Sequence, residues 1–432
     1  MASILEETTS AEFRPRLPPE LLMLILEHLP PDAETLRQTC LVSKQCLSIS
    51  QPYLFRHIRL SAPKATTDHA RSPCSILYQV LLNSPYIALY IRHLTILSAS
   101  SLPRAAIPLD RMWISSDETL PALLNILVNA KLQSFRVRLS GESWQDLPLA
   151  LHSSIRSLVN SPSLRDVDFT GFDVVDAAMF KQSRIQRLKF SEMGELHVET
   201  ESDAVETCSS EFSSLTLLDM DIGAVISWAV SSQSFRALRD LRLAFHPLTD
   251  IPNVEELLRH IAGTLESLHF QPVYARWSPD NFFRIGELPV LTSLRLSLGI
   301  SVQSNPVPWV IFILRNLGHN RLQNLTIDLR IDNREVVQSL PWAELNSALC
   351  GPPLVNLQAL VITLFLYQPR PPGMRALWNR DEEGTIRWLA GEIPRLLPSV
   401  AARDVFEVHE LQLSFSRFFY WPGPLAWSDS ES

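Results

Sequence analysis

Residues 291–296 read Leu-Thr-Ser-Leu-Arg-Leu, with apolar residues in the first, fourth and sixth places. Similar six-residue units recur along the chain at intervals of 21 to 51 residues, with a mean of about 32. The twelve copies begin at Phe55, Ile91, Leu132, Leu164, Ile185, Leu215, Leu238, Leu265, Leu291, Leu322, Leu357 and Val408. The alternation of apolar and polar residues at the end of each unit predicts a short strand there.

Helical stretches precede many of these units, with apolar residues spaced three or four positions apart. These stretches are 76–83, 120–130, 151–160, 254–263 and 309–317. A strand joined to a helix and then repeated predicts an α/β fold in which a parallel sheet carries its helices on the outside. Successive units should stack into a solenoid, because crossovers between parallel strands share one hand. A closed barrel built from the same units is the alternative.

Composition excludes several classes of protein. The chain has 432 residues, 46% of them hydrophobic and 19% charged, which is too apolar for a disordered chain. A formal net charge of −8 argues against a general nucleic-acid binder, which needs a basic surface for phosphates. The sequence contains neither a polybasic stretch nor an apolar run long enough to cross a bilayer, so it predicts no membrane interaction. We therefore expect neither a nucleic-acid nor a membrane partner.

The cysteines and the first thirteen residues indicate the cellular compartment of the protein. Five cysteines lie far apart without a CxxC pair, which favours free thiols in a reducing environment over a disulfide framework or a zinc site. The first thirteen residues contain three glutamates and no basic residue, unlike a signal peptide. We expect a soluble protein of the cytoplasm, the nucleus or both.

The most apolar stretch of the N-terminal region is 17–30, which reads Leu-Pro-Pro-Glu-Leu-Leu-Met-Leu-Ile-Leu-Glu-His-Leu-Pro. Pro18 and Pro19 suit the first turn of a helix, and Pro30 ends it. Residues 21–26 are all apolar and cover more than half of the helix circumference, since each residue advances by about 100°. A single core contact hides only one stripe, so this helix needs further cover from the chain or from a partner protein.

Two further helices and a strand are predicted after this helix. Asp32 is a candidate N-cap for a second helix that runs to Thr39. A third helix begins near Leu41 and ends before Pro52. The stretch 53–60 ends in the alternation that is typical of a strand. Three helices in about 40 residues are too small for a private core.

This region resembles the F-box family, in a form similar to many fungal members. The resemblance lies in Leu17-Pro18, Glu20, Leu21, Ile25, Leu29, Leu36, Val42-Ser43-Lys44 and the stretch 51–58. It implies that the helices bind the Skp-type adaptor of cullin–RING ubiquitin ligases. The adaptor-binding residues would be Leu17, Pro18, Leu21, Leu22, Ile25, Leu29, Leu36 and Val42. The alternative is a helical cap on the following domain.

The recurring unit looks like a leucine-rich repeat, although the spacing is longer and less regular than in that family. The asparagine that the family carries after its strand is absent, and Ala99, His246 and Val273 occupy such positions. The resulting division of the chain is a flexible tail at 1–16, an F-box at 17–60, an irregular leucine-rich-repeat-like solenoid at 61–427 and an acidic tail at 428–432.

Strand alternation also predicts which charged side chains face outward, on the concave side of the solenoid. Basic and acidic residues would alternate between neighbouring strands as a ladder. The residues of this candidate substrate face are Arg136, Arg138, Asp166, Asp168, Arg187, Lys189, Asp219, Asp221, Arg242 and Arg295. They either pair with one another or bind a partner.

The sequence lacks the short motifs of catalysis, such as GxSxG, GxGxxG, GxxxxGK[ST] and HExxH. We therefore expect no catalytic residue, no cofactor and no metal. With the F-box resemblance, the sequence predicts a non-catalytic, substrate-recognition subunit of a ubiquitin ligase. One alternative is an interaction scaffold that joins the adaptor without directing degradation. Another is an enzyme with an unrecognised pocket.

Overall fold

The computed structural model describes residues 18–28, 33–62, 72–98, 113–139, 144–197, 211–232, 234–245, 250–272, 285, 288–300, 305–318, 321–331, 334–366 and 382–410. The predicted tails at 1–16 and 428–432 lie outside these residues, as do Leu17 and Leu29.

The described chain begins with three helices and continues as alternating strands and helices. The helices are α1 (Pro19–His28), α2 (Ala33–Val42), α3 (Lys44–Leu54), α4 (Pro73–Asn83), α5 (Trp113–Ser116), α6 (Thr119–Val128), α7 (Leu149–Val159), α8 (Ile222–Ser232), α9 (Ile251–Ile261), α10 (Val307–Arg315), α11 (Arg334–Gln338), α12 (Trp342–Leu349), α13 (Glu382–Leu396) and α14 (Pro398–Ala401). All five helical stretches that the sequence predicts are confirmed, with their ends shifted by up to three residues.

The strands are β1 (His57–Ser61), β2 (His93–Leu97), β3 (Ser134–Arg138), β4 (Asp166–Thr170), β5 (Val174–Asp176), β6 (Arg187–Met193), β7 (Glu195–His197), β8 (Ser214–Met220), β9 (Asp240–Phe245), β10 (Ser267–Pro272), β11 (Ser293–Ile300), β12 (Asn324–Ile331), β13 (Ala359–Leu366) and β14 (Phe406–Glu410). Twelve form one parallel sheet in the order in which they follow along the chain, while β5 and β7 pair separately. The predicted α/β class and solenoid-like arrangement are confirmed. Within the described residues β1 and β14 are opposite edges of an open sheet, so the barrel alternative is wrong.

A repeated backbone contact fixes the register of the sheet. At ten of the eleven junctions between neighbouring strands, the carbonyl of the residue after the first apolar position accepts two N–H groups from the next repeat. Gln133, for example, accepts from Arg165 at 2.9 Å and from Asp166 at 3.0 Å. The same contact recurs at the carbonyls of Arg56, Arg92, Arg165, Gln186, Ser213, Arg239, Glu266, Thr292 and Gln323. The second apolar residues of neighbouring repeats are therefore aligned.

The apolar positions of the unit form one continuous core between the sheet and its helices. Leu164, Val167 and Phe169 of one repeat are each at most 2% exposed, as are their counterparts in most other repeats. Phe169 lies at the centre of an aromatic row, and its ring contacts Phe135 and Phe190 on the neighbouring strands. Alternation then places the residues between these core positions on the opposite face of the sheet.

Two of the twelve predicted units are out of register. The sheet aligns Leu188 with Leu215, so the sixth unit begins at Phe212 and not at Leu215. Phe212 is fully buried and occupies the first apolar position of the unit. In the sequence, a unit that begins at Leu215 fits the pattern equally well, because Leu217 and Leu218 are both apolar. The predicted ladder positions of Asp219 and Asp221 are therefore wrong.

The last predicted unit is displaced as well. Leu360 aligns with Phe406, so the final unit begins at Arg403 and not at Val408. The guanidinium group of Arg403 fills the first position and donates to the carbonyl oxygens of Leu349 at 3.2 Å and Leu354 at 2.9 Å. A charged residue whose guanidinium group is hydrogen-bonded to backbone carbonyls thus occupies the position where the unit predicts an apolar residue.

The N-terminal helices lead into the sheet through a very short connection. Helix α3 ends at Leu54 and β1 begins at His57. The rings of His57 and His93 on adjacent strands are stacked, with centroids 4.3 Å apart. Burial and the neighbouring charge of His57 lower the pKa of His93 to about 4, so at neutral pH this stack carries no charge on His93.

Gly171 is a position that tolerates no side chain, because its φ of +75° lies in the left-handed region. A Cβ atom there would lie 2.1 Å from the carbonyl oxygen of Leu139. We expect Gly171→Ala to lower the free energy of unfolding by at least about 2 kcal/mol, measured by urea denaturation. The matched control is Gly263→Ala, where a Cβ meets no atom within 4 Å, and its change should stay within about 1 kcal/mol. Equal losses in the two variants would contradict this account.

Candidate functional site

Helix α1 presents an apolar surface to solvent. The exposed fractions are 47% for Leu21, 46% for Met23, 54% for Leu24 and 47% for Ile25. These residues are consecutive or nearly so, and one face of the helix packs against α3. Four large apolar side chains that remain half exposed on one short helix are typical of a protein interaction site.

The three helices are held together by a small separate set of contacts. Leu36 of α2 and Cys46 of α3 are both buried, and these two helices form the main contact within the group. The Ser43 side-chain oxygen accepts a hydrogen bond from the backbone N–H of Cys46 at 3.0 Å, which starts α3 at Lys44. The prediction that Pro52 lies beyond α3 is wrong, because the helix continues to Leu54 and includes Pro52.

The predicted adaptor-binding residues differ in accessibility. Leu21 and Ile25 lie on the exposed surface of α1, and Pro18 is exposed just before it. Val42, at the end of α2, is 74% exposed, and its neighbour Leu41 is 80% exposed. Leu36 is 7% exposed, so the chain's own residues cover most of its side chain. Leu22 belongs to α1, but its side chain, like the residues Leu17 and Leu29, lies outside what the structure describes.

The second candidate surface is the polar face, which we define as the side of the twelve-stranded sheet opposite the buried apolar positions. In its first half, predicted charges pair with one another. Arg187 donates to both carboxylate oxygens of Asp166, at 2.5 and 2.6 Å. Lys189 lies 2.9 Å from Asp168. These four residues therefore form the charge ladder that alternation predicts.

The other predicted charges of this half lie in β3, in β8 and directly after β8. Arg136 aligns with Asp168, and Arg138 aligns with Thr170; both arginines are exposed. Asp221 follows β8 and accepts a hydrogen bond from the backbone N–H of Gly223 at 2.8 Å, in the first turn of α8. Asp219 lies in β8 beyond the aligned positions, and its side chain is outside the described part of the structure.

In the second half of the polar face, strands β9 to β12 bring together a more buried set of polar side chains, which we call the arginine cluster. Its members are Arg242, His269, Gln271, Arg295, Ser297, Asp328 and Arg330. The register places them on one face, because His269 aligns with Arg242 and Arg295, and Ser297 aligns with Asp328. Asp328 is fully buried, and Gln271, Ser297 and Arg330 are at most 5% exposed.

A chain of hydrogen bonds runs through the arginine cluster. Arg295 donates from Nε to Asp328 Oδ2 at 2.8 Å and from Nη2 to Oδ1 at 3.2 Å. Ser297 Oγ donates to Asp328 Oδ2 at 2.5 Å, and the His269 ring nitrogen Nε2 lies 2.8 Å from the same Oγ. One buried carboxylate thus holds an arginine and a serine in place.

Among the described residues, the nearby arginines influence both Arg242 and His269. Burial and the charges of Arg295 and Arg330 lower the pKa of Arg242 to about 10, and the opposing effect of Asp328 is smaller. Burial and the same three arginines lower the pKa of His269 well below its ordinary value, so His269 is neutral at pH 7. The guanidinium groups carry the positive charge, and His269 contributes only hydrogen bonds.

These groups include a serine, a histidine and an aspartate, but their order does not suit nucleophilic catalysis. A catalytic serine gives its proton to a histidine, and the aspartate orients that histidine. Here Ser297 donates directly to Asp328, so His269 Nε2 must act as the donor toward Ser297 and cannot also accept its proton. Arg295 further neutralises the carboxylate. The arrangement holds side chains in position and does not activate Ser297.

Sequence reasoning identified Arg242 and Arg295 but missed the rest of the cluster. The six-residue unit ends before Gln271, Ser297, Asp328 and Arg330. The missing signal was available in β12, where apolar residues continue to alternate from Leu325 to Ile331. That longer alternation places Asp328 and Arg330 on the polar face. His269 occupies the unit's own fifth position, where the sequence pattern does not distinguish it from any other polar residue of the polar face.

The described residues show three further properties. None of their helices is long and apolar enough to cross a membrane. They contain no group of three or more histidine, cysteine, aspartate or glutamate residues placed to hold a metal ion. The cysteines at 40, 46, 74 and 350 are free thiols.

The pair of Arg295 and Asp328 gives a stability prediction. Asp328→Asn removes the buried carboxylate that pairs with Arg295, so we expect a loss of about 3 kcal/mol in the free energy of unfolding, measured by urea denaturation. The matched control is Asp166→Asn in the more exposed pair with Arg187, which should cost about 1 kcal/mol or less. A loss in Asp328→Asn no larger than that of the control would show that burial does not strengthen this pair.

Two comparisons with known proteins bear on these surfaces. No curated protein matches the chain. Residues 15–57, which include all three N-terminal helices, match the family model of the F-box domain. The helices that expose the apolar surface of α1 thus form an N-terminal helical F-box domain, which is followed by the parallel sheet.

Proposed function

We propose that this chain is the substrate-recognition subunit of a Skp–cullin–F-box type ubiquitin ligase and acts without catalysis of its own. Its F-box domain binds a Skp-type adaptor, and the sheet presents a protein target to the enzymes that the ligase holds. The observation that carries the proposal is the half-exposed apolar surface of α1 within a segment that matches the F-box domain.

The physical basis of adaptor binding is burial of this surface. Leu21, Leu24 and Ile25 each leave about half of their side chain in water. Covering a leucine or isoleucine that water now contacts contributes on the order of 1 kcal/mol or more. Leu41 and Val42 add two further exposed apolar side chains on α2 of the same domain. The alternative of a helical cap accounts less well for this exposure, because a cap turns its apolar residues toward the domain that it covers.

The physical basis of target presentation is proximity. A scaffold that holds a target beside a transfer enzyme raises the effective concentration of the reacting groups without taking part in the chemistry. The sheet is suited to this because its polar face extends over twelve strands of one continuous structure. Its charged and polar side chains provide the means to recognise a protein. We place this activity in the cytoplasm, the nucleus or both.

Adaptor binding is tested by the double variant Leu21→Asp and Ile25→Asp. Charges at two apolar positions of an interface should weaken binding to a purified Skp-type adaptor at least about 100-fold, measured by titration calorimetry. The matched control is Leu149→Asp with Val355→Asp, two apolar residues that are 82% and 67% exposed outside the F-box domain. The control should bind as the unaltered chain does. Retained binding in the first variant, with an unchanged unfolding midpoint, would refute the role of α1.

An interaction scaffold that binds the adaptor without directing degradation is the alternative. Ubiquitin transfer to a captured target, reconstituted with the adaptor, cullin and transfer enzyme, distinguishes the two. We expect transfer to lysines of the target, and the Leu21→Asp, Ile25→Asp variant should abolish transfer while it still captures the target. Capture by the unaltered chain with no transfer would favour the scaffold.

A further inference from the structure

The first three strands of the sheet, β1, β2 and β3, contain basic residues but no aspartate or glutamate. Their polar-face positions include Arg59 of β1 and Arg136 and Arg138 of β3, and all three residues are exposed. The whole chain, by contrast, has 46 acidic and only 38 basic residues. The charge at this end of the sheet is therefore opposite in sign to that of the chain.

The register of the sheet places these arginines close together. Arg59 and Arg136 both align with Thr95 of β2, one from each side. Since neighbouring strands lie about 4.8 Å apart, the backbones of the two arginines are about 10 Å apart. Arg138 lies two residues after Arg136 on the same face, about 7 Å further along the strand. An extended peptide of a few residues spans these distances.

Two histidines connect this surface to Arg56, which directly precedes β1. The rings of His57 and His93 are stacked, with centroids 4.3 Å apart. Burial lowers the pKa of both rings, and the charges of Arg56 and Arg136 lower it further, while Asp166 opposes them at His93. Arg56 and Arg136 thus act on the same pair of rings. We call the surface formed by these two histidines and the arginines at 56, 59, 136 and 138 the basic strip.

The neighbouring acidic side chains already have partners. The two aspartates of β4 pair with Arg187 and Lys189 of β6, on the side away from the basic strip. The guanidinium groups of Arg56, Arg59 and Arg138 form no hydrogen bond or ion pair in the described part of the chain. Three exposed positive charges therefore remain available to a ligand from outside.

We propose that the basic strip binds an acidic segment of the captured protein, whose carboxylates pair with Arg56, Arg59 and Arg138. The identification of the ligand as a captured protein rests on the proposed function. In an extended segment, alternate side chains are about 7 Å apart and point to the same side, which suits the spacing of the arginines. Complementary charges of this kind increase the rate of association and select the partner more than they raise affinity.

The location of the basic strip makes the adaptor its main competing ligand. Strand β1 begins at His57, three positions after α3 ends at Leu54, so the strip lies at the end of the sheet that adjoins the F-box domain. The apolar surface of α1 already accounts for adaptor binding by burial. The basic strip, in contrast, offers charge and not apolar area, and this favours an acidic target segment.

The first experiment measures binding of the full chain to a labelled peptide of about ten residues that alternates glutamate and serine, by fluorescence anisotropy. Such a peptide spans about 30 Å when extended, enough to cross the strip. The matched control peptide alternates glutamine and serine. We expect only the glutamate peptide to bind, and its affinity should fall at least about tenfold between about 0.05 M and about 0.5 M salt, because salt screens exposed charges. Equal binding of the two peptides, or binding of neither, would overturn the proposal.

A double variant locates the binding site. Arg59→Gln with Arg138→Gln removes two charges that have no partner in the described structure, so the unfolding midpoint should be unchanged. We expect the affinity for the glutamate peptide to fall about fivefold. The matched control is Arg236→Gln with Arg259→Gln, which changes the net charge equally at two exposed residues outside the strip. Equal losses in the two double variants would reduce the effect to net charge and overturn the site.

The stacked histidines give a second, local measurement. A bound carboxylate changes the electrostatic environment of nearby imidazole rings and favours their protonated form. We expect the glutamate peptide to shift the NMR ring resonances of His57 and His93 and to leave those of the exposed His197 in β7 unchanged. Resonances of His57 and His93 that do not move at saturating peptide would place binding elsewhere and overturn the proposal.

The last arm tests the other ligands. Calorimetry with the Skp-type adaptor is repeated on the Arg59→Gln, Arg138→Gln variant, and unchanged affinity supports a surface separate from the adaptor. A loss would assign the basic strip to the adaptor, and tighter binding of a short DNA duplex than of the glutamate peptide would assign it to nucleic acid; either result overturns the proposal. The Leu21→Asp, Ile25→Asp variant should still bind the peptide, so failure of adaptor binding and failure of peptide binding are distinguishable.

Discussion

The doubly accepting carbonyl that follows the first apolar residue of nearly every repeat is the constraint on which the rest of the structure depends. It receives two N–H groups of the next repeat and thereby sets the alignment of one strand against another. A slip of one residue would move every buried leucine of that strand to the opposite face of the sheet. With the alignment fixed, the apolar core and the polar face follow from alternation alone.

The same alignment produces two different kinds of polar surface. Where acidic and basic residues occupy matching positions, as Asp166 and Arg187 do, the charges neutralise one another near the surface. Where arginines lie on nearby strands, as Arg242 on β9 and Arg295 on β11 do, the buried carboxylate of Asp328 pairs with Arg295. The first arrangement lies near solvent, and the second is largely buried.

Sequence periodicity predicted the parallel sheet, the outer helices and the N-terminal helical domain, because each of these depends on local spacing. It failed where two frames were equally regular, as at Leu215, or where a charged residue replaced an apolar one, as at Arg403. It also identified the charge ladder between Asp166 and Arg187, since charges at matching positions are visible from the spacing. The arginine cluster was mostly missed, because Asp328 and Arg330 lie beyond the six-residue unit and their burial depends on the whole assembly.

The short connection between α3 and β1 determines how far a bound molecule lies from the F-box domain. Only two residues separate Leu54 from His57, so the first strand continues almost directly from the third helix. Parallel strands lie about 4.8 Å apart, and β9 to β12 follow β1 by six to nine strand spacings. A residue on these strands therefore lies about 30–40 Å from β1, measured along the sheet. The number of repeats between them thus sets the distance from the F-box domain to any given strand of the sheet.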